Sequence, residues 1–232
     1  MNEIAKQYER ANPGLRVDVQ MGGSSRGIAD VRSRTTMVGM ASRALKASEQ
    51  DLQATTIALD GIALIVHRSN PIRQLSDDQI VAIYTGKIRN WRELGCPAAA
   101  ITVVNKAEGR STLELFLEFF KLEPQQIKPS VVIGDNQQGI LTVAKDPNAI
   151  AYVSIGTASY EASKGSPIRL LPLDGQPATL AAVRSGRWPL SRPLNLVTLI
   201  PPPEGAKPLL TYARSAAVDA LIEKQFFVVP QR

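Results

Sequence analysis

The feature that most constrains this chain is the repeated switch of its apolar residues between a period near 3.6 and a period of two. Ile4, Tyr8 and Ala11 share one face of a helix that Pro13-Gly14 closes. Leu15, Val17 and Val19 then alternate with Arg16, Asp18 and Gln20, the pattern of a half-buried strand. Ile28 and Val31 mark a second helix, and Thr36–Ala41 a second strand. Thr55–Val66 is a long apolar strand interrupted by Asp60-Gly61, and Ser76-Asp77-Asp78-Gln79 is a capping box opening a helix through Ile80, Ile83 and Tyr84. The alternation continues with strands over residues 101–104, 131–133, 149–153 and 194–200. Helices fall at Leu113–Phe120, Gln137–Ala144, Thr157–Ser163 and 207–224, the last broken near Ser215. Strands alternating with helices at this spacing predict an α/β architecture with largely parallel sheets.

Length and composition narrow the rest. A chain of 232 residues, 44% hydrophobic and 21% charged, has enough apolar material for one large domain or two smaller ones. The longest apolar runs are about six residues, far below the roughly 20 that span a bilayer, so no membrane-spanning helix is expected. The start Met1-Asn2-Glu3-Ile4-Ala5-Lys6 has neither the basic nor the apolar region of a signal peptide. One cysteine, Cys96, excludes an internal disulfide, and one histidine, His67, excludes a His/Cys zinc cluster. No metal or cofactor is expected. The 27 Lys and Arg residues exceed the 21 Asp and Glu by six, but they are scattered and lack interleaved aromatics, which argues against nucleic acid.

Two segments could carry the chain between a pair of lobes as strands, Gly61–Val66 and Leu194–Leu199. The division would place residues 1–67 and 193–232 in a first lobe and 68–192 in a second. Ligands of open α/β sheets bind beyond the carboxyl ends of strands, at helix N-termini.

Three strand-to-helix junctions share an anion-binding character. Gly22-Gly23-Ser24-Ser25 combines glycines, which admit close backbone approach, with the hydroxyls of Ser24 and Ser25. Either serine could instead simply cap its helix. Ala41-Ser42-Arg43 offers a hydroxyl and a guanidinium fork at a strand's end. Glu108-Gly109-Arg110-Ser111-Thr112 places Arg110 and the hydroxyls of Ser111 and Thr112 at the start of an amphipathic helix, without Walker A spacing. His67 reads as a boundary residue, Cys96 as an incidental thiol, and Trp91 and Trp188 as packing residues. No carboxylate pair is spaced for acid/base catalysis.

A family resemblance rests on several of these segments in order. Asp60-Gly61-Ile62-Ala63-Leu64-Ile65-Val66, Asn70-Pro71, Leu75 through Ile80, and Gly86-Lys87-Ile88-Arg89-Asn90-Trp91 are its first part. Gly109 through Thr112, Ala149 through Val153 and Trp188 through Leu194 complete it. Together they resemble the periplasmic phosphate-binding proteins of bacterial phosphate ABC transporters.

The resemblance implies a two-lobed type II periplasmic-binding-protein fold with a ligand cleft between the lobes. It implies a periplasmic or extracytoplasmic monomer that captures phosphate or a similar oxyanion, delivers it to the membrane permease of an ABC transporter and has no enzymatic activity. Ser24, Ser42, Arg43 and Thr112 match the family's ligand positions, with Ser25, Arg110 and Ser111 beside them. The chain departs from the family pattern in two ways. Arg110 replaces a small residue of the loop, and Lys106 stands where arginine is common. Relatives also carry a strand and a Gly/Ser/Thr loop ahead of their first helix, whereas this chain starts inside that helix, so its first lobe is expected to lack the leading strand. The alternatives are an anion-sensing receptor or regulator effector domain of the same fold, and a phosphatase acting at the same anion site.

Overall fold

The computed structural model describes residues 1–231. The chain divides into two compact units, Met1–Leu59 with Arg192–Arg232, and Asp60–Ser191. The boundary expected after residue 67 falls after Leu59, because the following residues of the long strand make their ladder with strands of the second unit.

The first unit holds helices α1 (Asn2–Ala11) and α2 (Ser24–Arg32), then the short strand β1 (Gly39–Ala41). The first half of β2 (Leu52–His67) lies in it, and the second half belongs to the other unit. Strand β7 (Ser191–Leu199) returns almost entirely to the first unit, pairing antiparallel with β1 from Gly39↔Val197 to Ala41↔Asn195. Helices α8 (Lys207–Ala213) and α9 (Asp219–Lys224) follow, separated by a 3-10 turn after Ser215 where the helical pattern was expected to break. Ile4, Ile57, Leu196, Leu210 and Ile222 form one apolar core, and Ile28, Val31, Leu52 and Val197 another beneath α2.

The second unit builds on β2 as it runs to His67. Strand β5 (Ala149–Ser154) pairs antiparallel with it from Ile62↔Ser154 to Val66↔Ile150, and β6 (Ile168–Leu170) pairs antiparallel on its other side. Strand β3 (Thr102–Lys106) runs parallel to β5, and β4 (Val131–Ile133) parallel to β3. Helices α3 (Asp77–Tyr84), α4 (Ser111–Phe120), α5 (Asn136–Lys145), α6 (Ile155–Ser163) and α7 (Leu180–Arg184) complete it. Ile65, Val104, Ile140, Val143 and Val153 make its core. Trp91 and Trp188 are buried, as their role in packing requires; Trp188 Nε1 donates to the Ile62 carbonyl at 2.9 Å.

Two expectations need correction. The sheets are mixed rather than largely parallel: β1–β7, β2–β5 and β2–β6 are antiparallel pairs, while β3–β4 and β3–β5 are parallel. Leu15–Gln20 alternates like a strand, yet it is not one. Val19 and Met21 instead border, with Met40 and Ala41, an apolar groove of about 550 Å³, and Leu15 is 49% exposed. Thr36–Ala41 shortens to β1 because the end of α2 takes its first residues, the Thr35 and Thr36 N–H groups both donating to the Asp30 carbonyl. Among the described residues no helix is long and apolar enough to cross a membrane.

Candidate functional site

In the first unit, two glycines set the position of the expected residues. A methyl group on Gly39 of β1 would lie 2.4 Å from the Gly27 carbonyl oxygen, and one on Gly27 would lie 2.8 Å from the Met40 carbonyl oxygen. Helix α2 therefore rests directly on β1. Seated this way, it brings the Ser24 hydroxyl to accept the Ser42 N–H at 3.0 Å, joining the first and second of the three junctions. Ser24 is buried at the first turn of α2, and Ser42 half-buried at the end of β1. Neither serine occupies the N-cap, which is Gly23 and supplies no side-chain bond to the helix. Ser25 lies one residue further into the helix and is exposed.

Arg43 is placed differently from a freely extended donor. Its Nη1 and Nη2 donate to the two carboxylate oxygens of Glu49 at 2.7 and 2.8 Å, and Nη1 also reaches the Ala44 carbonyl at 2.8 Å. Glu49 additionally accepts the Lys46 N–H at 2.7 Å. The Arg43 guanidinium, acting first, and the Lys46 N–H hold the Glu49 carboxyl below its ordinary range despite burial. The Arg43 carbonyl in turn accepts from Asn195 Nδ2, tying this junction to β7.

In the second unit the junction before α4 is the centre of interest. Ser111 and Thr112 are buried in the first turn, and the N-cap, Arg110, gives the helix no side-chain bond. Helices α3, α5, α6 and α7 are by contrast capped through Ser76, Asp135, Ser154 and Thr179. Helix α4 thus presents its first-turn N–H groups and partial positive charge without a capping acceptor from its N-cap residue. Arg110 Nη2 would lie 3.6 Å from a methyl on Gly134, so the guanidinium leans over the turn joining β4 to α5.

Lys106 adds a positive charge close by in the chain. It ends β3, is 2% exposed, and its N–H donates to the Tyr152 hydroxyl at 3.3 Å. That hydroxyl donates to Asn105 Oδ1 at 2.5 Å. Lysine side chains are rarely buried this deeply. The sequence marks Lys106 only as a departure from a family pattern. The signal that would have placed it in the site is a basic residue closing a buried strand three positions before a glycine turn. Each unit therefore carries polar donors at a helix start beside a strand end, the arrangement suited to an oxyanion.

Residues 1–217 match the PBP superfamily domain. The chain is 25% identical over 207 residues to the phosphate-binding protein PstS of Borreliella burgdorferi, covering 85% of this chain and 74% of that protein. It is 25% identical over 190 residues to PstS of Bacillus subtilis, where the match covers 80% of this chain and spans only 61% of the relative's length. A phosphate ABC transporter substrate-binding protein from Clostridium perfringens, solved with bound phosphate, superimposes with a TM-score of 0.90 at 29% identity. That match covers 99% of this chain and 94% of the other.

Proposed function

The chain belongs to the PBP superfamily, and on that premise we propose that it is a solute-binding protein that captures inorganic phosphate, or a similar oxyanion, for an ABC importer. The observation that carries the reading is the junction before α4. There a helix start whose N-cap residue gives it no side-chain bond, two buried hydroxyls and the Arg110 guanidinium collect donors and positive charge, with buried Lys106 four residues earlier in the chain. Likeness to phosphate-binding relatives along most of the chain supports the same anion.

In this reading the work is binding rather than chemistry. In the second unit, hydroxyls of Ser111 and Thr112, backbone N–H groups of α4 and the cations Arg110 and Lys106 replace the hydration shell of the anion; in the first unit, the hydroxyls of Ser24, Ser25 and Ser42 and the N–H groups of α2 are donors of the same kind. Arg43, with two nitrogens given to Glu49, serves this site chiefly by fixing the Ser42 turn. The remaining parts of the proposal are a periplasmic or extracytoplasmic location, action as a monomer, and delivery to a membrane permease.

Equilibrium dialysis with labelled phosphate tests the proposal. One phosphate retained per chain, with no phosphate released from an aryl phosphate ester, supports it. Absence of retention, or steady turnover of the ester, overturns it.

A further inference from the structure

Far along the second unit from Lys106, Arg68 and Arg73 lie on the loop after β2, and Arg169 of β6 reaches the same loop. Arg73 Nη1 donates to the carbonyls of Asn70 at 2.8 Å, Pro71 at 3.2 Å and Ile72 at 3.4 Å. Arg169 Nη1 donates to two of the same oxygens, Asn70 at 3.1 Å and Ile72 at 2.9 Å, while its Nη2 bonds the Arg68 carbonyl. Two guanidinium groups that share two acceptors must lie close together. Arg68 joins them from the same loop, its Nη2 reaching the Ser166 carbonyl at 3.5 Å.

The loop is tied to the rest of the unit through Asn70. Asn70 is buried, donates through Nδ2 to the Pro147 carbonyl at 3.1 Å, and accepts the Ile72 N–H at 3.0 Å. Arg68 and Arg73 are exposed and Arg169 is half-buried. Among the described residues no carboxylate is paired with any of the three. Burial, then repulsion from Arg73 and Arg68, lowers the Arg169 pKa from its ordinary value, and no acid offsets that repulsion. Like charges held together without a counterion are a standing cost that an incoming anion relieves.

We propose that Arg68, Arg73 and Arg169 form a docking surface for a carboxylate-rich segment of a partner protein. The guanidinium fork matches carboxylate geometry in pairs. Among the described residues, none of the exposed large apolar side chains lies on this loop, so it offers no membrane-inserting anchor of the kind a lipid-binding surface uses. The position leaves the anion site accessible. Val66 and Val103 both lie beside Ile150, so Arg68 and Lys106 are separated by roughly five residues of strand, about 16 Å. A partner could hold this end while the oxyanion site is filled or empty.

The test is a titration of the phosphate-free protein with an acetylated hexaglutamate peptide at low salt, read by calorimetry. Arg68 makes one long hydrogen bond, so R68E reverses the charge with little effect on the loop, and R68Q/R73Q removes two charges. Both should weaken peptide binding at least tenfold, while K87Q/K121Q, which removes two exposed charges elsewhere, should stay within twofold of the parent. Equal losses in all three variants would assign the binding to net charge alone and overturn the proposal. So would a parent that ignores the peptide, or Arg68-dependent binding to phosphatidylglycerol vesicles with no effect of R68E on the peptide.

Discussion

Arg43 and Glu49 face each other through two parallel hydrogen bonds, with side-chain exposures of only 12% and 7%. A charged pair this far from water is costly to break from one side, because the surviving charge stays buried without its partner. E49Q is expected to destabilise the protein by about 3 kcal/mol, measured by urea unfolding at neutral pH.

The same pair sets a pH dependence. The folded-state pKa of Glu49 lies below its unfolded value, chiefly because of Arg43. Its stabilising contribution is therefore complete above the ordinary glutamate pKa of about 4.3 and disappears as pH falls through the lowered folded value. Urea midpoints of parent and E49Q should converge on acidification below about pH 4. A gap of constant size from pH 7 to pH 3 would show that the Glu49 charge is not what the pair contributes.

Much of this fold could be read from the residue pattern. Ser76 and Gln79 form the capping box that their spacing predicts, and the long apolar segment before His67 is β2. Those features depend on local spacing and on burial on both faces. Leu15–Gln20 failed because alternation supplies a face without supplying a strand to pair with. Arg43 looked like an open donor because its partner, Glu49, comes round on a 3-10 turn six residues later, a contact no period reveals. Lys106 is hidden for the opposite reason: a single lysine ending an apolar strand gives no sign that its ammonium is buried.

The contact of Gly27 with Gly39 leaves no room for a methyl group. G39A should lift α2 from β1, at a cost of about 1–3 kcal/mol, and should lengthen the Ser24–Ser42 bond. Thermal melting should show the loss, and phosphate affinity should fall with it. G134A is the control, since its added methyl would meet only ordinary contacts at 3.5 and 3.6 Å and should leave the melting midpoint nearly unchanged.

Tyr152 offers a third test. Burial raises its phenol pKa, so the hydroxyl stays a neutral donor to Asn105 while accepting the Lys106 N–H. Y152F keeps the ring stacked on Phe116, at 4.1 Å between centroids, but strands two buried polar atoms. The expected loss is about 1–3 kcal/mol, together with weaker phosphate binding as the end of β3 loosens. Y84F removes only a 3.5 Å contact with the Val104 carbonyl and should be close to neutral in the same assays.

The most direct measurement is a calorimetric titration of phosphate into the parent, R110A and T112A at one fixed salt concentration. The account predicts one site per parent chain. R110A loses a charge-assisted bond worth about 1.5–3 kcal/mol, a tenfold to hundredfold drop in affinity. T112A loses a neutral one worth about 0.5–1.5 kcal/mol and is the smaller effect. A parent that gives no binding heat and retains no labelled phosphate, or R110A binding phosphate as tightly as the parent, would contradict it.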